Sequence, residues 1–195
     1  MARTGRRPGP STTRAEILQA ARHQFATGGY DATTMRGVAE AAGVDPALVV
    51  RAFGGKAGLF RAAVQWPWNP ADVVPAVAAG PKSTAGQRIA TMFVETWEHP
   101  EEREPIITLI RSAAAHAESR NLLNQFVTTQ VLVPIVRTAG FDRPEQRAAF
   151  IAAHLVGTGL ARYVLAIEPL ASMEASVVRD VVASVVQRIL TVPLP

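Results

Sequence analysis

Residues 174–190 read EASVVRDVVASVVQRIL, in which adjacent apolar pairs recur every four residues: Val177/Val178, Val181/Val182, Val185/Val186 and Ile189/Leu190. Valine and isoleucine favour strands, but a half-buried strand alternates with period two. A four-residue repeat keeps the pairs on one side of a 3.6-residue helix, so the spacing predicts a helix over about 173–191 despite the stiff side chains. If even this segment reads as helix, the chain is expected to be all-α, and the rest agrees. Helical stripes run over about 84–98 (Ile89, Met92, Phe93, Trp97), 101–117, 119–139 with a kink at Pro134, and 144–167. Proline and glycine punctuate them, giving about nine helices in total.

The valine stripe is too wide for one neighbouring helix to cover, and helix 144–167 shows the same excess. Two readings are open: both helices are core elements of one chain, or they bury against a second copy in an isologous dimer. On the dimer reading the interface comprises Leu155, Gly159, Leu160, Tyr163, Val178, Val182, Val185, Val186 and Ile189.

The first third has a different character. The whole excess of positive charge lies in residues 1–60, which carry eight basic and four acidic side chains; the remainder balances. That asymmetry suits a polyanion partner for the N-terminal part only. Residues 1–12, rich in Gly, Pro and Arg, read as a flexible basic arm. Thr13 to Glu16 fits a capping box opening a first helix (Ile17, Leu18, Ala21, Phe25) that Gly28-Gly29 stops. Thr33 or Thr34 caps a second helix, which ends at Gly43. Asp45-Pro46 opens a third, closed by Phe53-Gly54-Gly55. Gly37, inside the second helix, has no sequence-level reason.

Two short helices joined by a tight glycine corner, over about 34–53, are the helix-turn-helix signature, whose second helix enters the major groove. At 100° per residue, Val49 and Phe53 point inward with Val44, and Ala47, Leu48, Val50 and Arg51 point outward. Of these only Arg51 can make a directional base contact, bidentate to guanine. Asp45 serves as cap or as acceptor from cytosine. The grip on phosphate then falls to Thr33, Thr34, Arg36, Lys56 and the arm residues Arg6 and Arg7, unless the arm is only a solvated tail. Deleting residues 1–12 is expected to weaken DNA binding at least about tenfold in a titration and to flatten its salt dependence. Unchanged affinity and slope would make the arm a bystander.

Other functions find little support. There is no glycine-rich phosphate loop, no nucleophile elbow and no buried carboxylate cluster, and EEREP at 101–105 reads as the acidic first turn of a helix. Four histidines without paired spacing suggest neither metal nor cofactor. The lack of cysteine, of a signal-like N-terminus and of any ~20-residue apolar run leads to the expectation of a cytoplasmic, non-membrane, non-enzymatic protein.

Residues 12–60, TTRAEILQAARHQFATGGYDATTMRGVAEAAGVDPALVVRAFGGKAGLF, resemble the DNA-binding domain of TetR-family transcriptional regulators. The resemblance rests on the first-helix pattern, the Gly-Tyr-x-x-Thr-Thr entry, VAEAAGV, Phe53, and Lys56 with Leu59-Phe60. It implies a helix-turn-helix domain over residues 13–60, an effector-binding and dimerisation domain over 61–195, a homodimer and a palindromic double-stranded DNA operator released by a small effector. It matches Thr34 and Lys56 to phosphate-contacting positions and Arg36 to a polar DNA-facing one. Val50 and Ala52 depart from it, where the family usually offers Tyr or His. An effector pocket is expected among the middle helices, with Met92, Phe93, Trp97, Arg111, Phe126 and His154 as candidates, since aromatic walls with few polar groups suit a small apolar ligand. The alternative is a dimeric ligand-binding or interaction module that no longer reads DNA specifically.

Overall fold

The computed structural model describes residues 10–194, which are helical with no strand among them. The arm residues Arg6 and Arg7 lie outside the described residues. Helix α1 (Pro10–Ala32) already contains Thr13, so the expected capping box is not its start. Proline suits a first helical turn because its missing N–H would have no partner there. Gly29 breaks α1 with φ 84° and ψ 169°, and Tyr30 beyond the break packs back onto Phe25.

Helices α2 (Met35–Ala41), α3 (Pro46–Phe53) and α4 (Lys56–Val64) follow. Thr34 caps α2, its hydroxyl accepting from the Gly37 N–H, and Asp45 caps α3 by accepting from the Ala47 N–H at 2.7 Å. Ile17, Phe25, Val38, Val49, Leu59 and Phe60 are fully buried and fix the angles among these four helices. Gly37 now has a reason. The Gln24 amide of α1 donates to its carbonyl at 2.9 Å, and a Cβ there would stand 3.1 Å from Gln24 Oε1.

The larger C-terminal part comprises α5 (Pro70–Ala78), a 3₁₀ turn (Lys82–Thr84), α6 (Ala85–Glu98), α7 (Pro100–Ala115), α8 (Ala117–Gln125), α9 (Val133–Thr138), α10 (Pro144–Gly159) and α11 (Ala175–Thr191). The acidic pair Glu101 and Glu102 sits in the first turn of α7, where the helix dipole favours it. Between α8 and α9 the rod continues through a π-helical segment, Phe126–Leu132. Pro134 therefore does not produce the expected simple kink. The register slips by one residue immediately before it, where Val133 N–H donates to Thr128 O, five residues back. A second π segment, Leu160–Val164, extends α10.

Helices α6 and α11 form the tightest seam. Val178, Val182, Val186 and Leu190 are buried there, which contributes on the order of 6–10 kcal/mol and outweighs the poor helix propensity of valine. Gly86 allows the approach: a Cβ on it would lie 2.5 Å from Ala183 O and 2.6 Å from Gln187 N. Its N–H donates to Gln187 Oε1, and Gln187 Nε2 donates to Lys82 O. The far end of α11 is stapled by Arg147 of α10, which is 3% exposed. That guanidinium donates to Ile189 O and Val192 O and pairs with Asp142 at 2.6 Å. The pairing holds the Asp142 carboxyl below its ordinary pKa.

The seam corrects the expected dimer face. Val178, Val182 and Val186 face α6 inside the chain and cannot meet a partner, because only their side of the stripe fits against Gly86. Leu155 is buried, and Gly159 sits where a Cβ would be 2.5 Å from the Trp97 ring. Tyr163 stacks on Trp97. Leu160 and Ile189 are half-buried, and Val185 is exposed. The large apolar side chains left open on α10 and α11 are Phe150, Val177, Val181 and Val185.

Candidate nucleic-acid interface and effector cavity

The α2–turn–α3 unit presents a short helix whose inward residue, Val49, is fully buried, with Val44 and Phe53 half-buried beside it. Ala47, Val50, Arg51 and Ala52 are exposed and Leu48 is half-buried. Arg51 makes no hydrogen bond or ion pair with the described residues, so its guanidinium is free to engage a base edge. Thr34 and Arg36 are exposed near the start of α2, where unpaired N–H groups favour an anion.

Two expected phosphate contacts stand differently. Thr33 is buried at 4% exposure and its hydroxyl donates to Gly29 O, so it secures the α1 break and cannot reach DNA. Lys56 donates one ammonium proton to Asp31 O at 2.9 Å and lies 4.6 Å from the Tyr30 ring centre, which leaves two protons for an anion. Arg14 of α1 covers the Phe53 ring, a role the sequence did not reveal.

Above α4 lies an apolar cavity of about 70 Å³. Met92, Phe93 and Trp97 line it as expected from the α6 stripe, together with Trp66, Trp68, Thr96 and residues of α7, α8 and α10. All three tryptophans of the chain wall this space. Trp66 and Trp68 were missed because WPWNP reads only as a helix breaker. Two indoles in a proline-rich break are, however, expensive to leave in water, and that was the available signal. Thr96 is the one hydroxyl in the lining, and it is saturated: it accepts from Trp68 Nε1 at 3.1 Å and donates to Met92 O at 2.9 Å.

The other candidates fall outside the wall. Arg111 is exposed on α7. His154 lies about 200° around α10 from Ala152, which does line the cavity. Burial without a charged partner holds the His154 pKa below its usual value. Phe126 stands behind the lining, wedged between Trp66 and Phe60.

Trp97, one of the cavity walls, is backed by a polar clasp. Glu98 accepts from Tyr163 Oη at 2.7 Å and from Arg162 Nη2 at 3.0 Å, while Arg103 donates to Trp97 O. Burial opposes ionisation of Glu98, yet the hydrogen bonds from Tyr163 and Arg162 outweigh it and keep its pKa below the ordinary range. The Tyr163 phenol, desolvated and beside Glu98, is pushed up to about 12 and stays a donor at neutral pH.

From the cavity a row of rings leads to the α2–α3 unit. Trp68 meets Trp66 at 5.2 Å, Trp66 meets Phe126 at 4.8 Å, Phe126 meets Phe60 at 5.5 Å, and Phe60 meets Phe25 at 4.4 Å and Tyr30 at 5.1 Å. The row ends under Lys56. Among the described residues no helix is long and apolar enough to cross a membrane, and no group of three or more His, Asp or Glu could hold a metal.

Comparison with known proteins agrees with this arrangement. Bacterial regulatory proteins of the tetR family match residues 17–63, and the tetracyclin repressor-like C-terminal domain matches residues 83–190. A solved TetR-family regulator from Streptomyces coelicolor A3 is 31% identical, with 96% of this chain and 99% of that chain covered and a TM-score of 0.46. Salmonella enterica GusR is 18% identical, with 95% and 99% covered and a TM-score of 0.49. A TetR-family transcriptional regulator from Rhodococcus sp. is 21% identical, with 93% and 100% covered and a TM-score of 0.46. No curated protein matches the chain.

Proposed function

The chain belongs to the TetR family of bacterial transcriptional regulators, and from that premise we propose that it is a homodimeric repressor that leaves a palindromic operator when a small molecule enters the cavity. The observation that carries the ligand response is the row of rings from Trp68 to Lys56. Close-packed rings do not compress, so a ligand that displaces Trp66 must also move Phe126 and then Phe60 of α4. Because α4 and α1 carry the α2–α3 unit, such a shift changes where α3 points. In a dimer it changes the separation of two copies that must enter grooves about 34–36 Å apart.

Dimerisation is supported by the open apolar side chains of the packed helices α10 and α11, with Val177, Val181 and Val185 on one face of α11 and Phe150 exposed on α10. The partner DNA is double-stranded, and a cytoplasmic location follows from that role. Ala47, Leu48 and Val50 favour contact with thymine methyls, with Arg51 reading guanine.

Footprinting on DNA from beside the gene is expected to show a protected palindrome. Weak, wholly salt-sensitive binding would support the interaction module instead. Coupling between the sites is reciprocal, so operator binding must also act on the cavity. Operator addition is therefore expected to shift the tryptophan emission. In Phe126→Leu that shift should largely vanish while operator affinity stays within about threefold, as expected for a coupling change of order 1 kcal/mol. An undiminished shift in the variant would remove Phe126 from the path.

A further inference from the structure

The cavity is too small for a drug-sized ligand, since such sites enclose roughly 300–1,000 Å³. Beside it, between α5 and α6, runs an open groove of about 1010 Å³. Trp68, Met92 and Thr96 line both spaces and so stand between them, with the Trp68 indole held by its hydrogen bond to Thr96. Swinging the indole aside breaks one neutral hydrogen bond and its edge contact with Trp66, and opens a way between the two.

The two compartments differ in chemistry. The inner one offers rings and aliphatic groups, and the one polar atom of its wall without a partner is the Trp66 indole N–H, a neutral donor. The outer one is faced by the carboxylates of Asp72, Glu95 and Glu102. Asp72 accepts only from the Asn69 amide, and among the described residues Glu95 and Glu102 have no hydrogen-bond donor or ion-pair partner. The opposing guanidinium, Arg88, is engaged by Val77 O, Pro81 O and Thr84. His99 registers the same field: its hydrogen bond to Glu95 O, then the charges of Glu101, Glu102 and Glu95, hold its pKa above the usual value. Trp68 adds a π-face at the boundary, attractive to a cation within about 6 Å.

We infer that the effector is an elongated organic cation whose apolar end passes Trp68 into the cavity while its cationic end stays in the α5–α6 groove against Glu95, Glu102 and Asp72. The inference rests on the cavity being the effector site, and the test separates the two. Three probes share a phenylbutyl chain: 4-phenylbutyltrimethylammonium, 4-phenylbutanol and 5-phenylpentanoate. Binding to the full chain is followed by quenching of the tryptophans, all of which wall the cavity.

The ammonium is expected to bind about tenfold more tightly than the alcohol and the carboxylate more weakly still, with the advantage shrinking as salt rises. Glu95→Gln combined with Glu102→Gln should remove most of that preference and leave alcohol binding unchanged. Thr96→Val, which keeps the shape but frees Trp68, should speed ammonium association about two- to tenfold. If alcohol and ammonium bind equally, or the double variant keeps the preference, the cationic class fails while the cavity reading stands. An unchanged association rate overturns the passage past Trp68. If no probe quenches, both readings fall.

Discussion

Replacing Gly86 by valine is expected to unseat α11 and to lower stability more than any surface change. The added Cβ would meet the Ala183 carbonyl oxygen and the Gln187 nitrogen, which are backbone atoms inside a helix and cannot rotate away. Relief requires α6 and α11 to separate, opening the seam of Val178, Val182 and Val186 and breaking the Gly86–Gln187 hydrogen bond. Overpacking of this kind costs about 3 kcal/mol or more. For a chain of this size that is a fall in melting temperature of roughly 6–12 °C. Gly28→Ala is the matched control, because the nearest atom its Cβ meets is Ala32 Cβ at an ordinary 3.9 Å. It should melt within about 1 kcal/mol of the parent, since alanine is the better helix former. Coincident melting of Gly86→Val and the parent, followed by circular dichroism, would refute the seam.

Arg51→Ala should have the largest effect on DNA reading. Arg51 is the only long polar side chain on the outward face of α3, and nothing among the described residues holds it. A bidentate contact to guanine discriminates by about 1–3 kcal/mol, so operator affinity should fall about 5- to 150-fold. Affinity for unrelated DNA should hardly change, and base preference should relax at one position of each half-site. Equal losses on operator and random DNA would mean that Arg51 contacts phosphate only. An unaltered operator affinity would remove α3 from base reading altogether.

Much of the fold was legible because its boundaries are written in residues with one dominant backbone chemistry. Asp45-Pro46 opens α3 by side-chain capping, and the expected 84–98 segment coincides closely with Ala85–Glu98. What failed was assignment of faces. A stripe of paired valines contains two sub-faces, and periodicity cannot say that Val178, Val182 and Val186 turn inward while Val177, Val181 and Val185 turn out. Gly86, ninety residues upstream in the chain, makes that choice by admitting only one side. The cavity was half legible for a similar reason. Met92, Phe93 and Trp97 share a helical face and were found together, whereas Trp66 and Trp68 enter from an irregular segment without a period. Arg111 and His154 were selected for polarity alone, and helix rotation carries both away from the space. Thr33 and Thr34 are adjacent and chemically alike, and only the break at Gly29 decides that Thr33 is a strut and Thr34 a cap.

The edge-on contact of Phe60 with Phe126 has an implication for modularity. These rings belong to opposite halves of the chain, and both are almost wholly buried where the halves meet. The reading head is thus not a cassette that can be cut out and grafted onto another sensor: a chimera joined near residue 64 would inherit half of a shared joint, and its new neighbour would have to supply a ring of matching size in the place of Phe126.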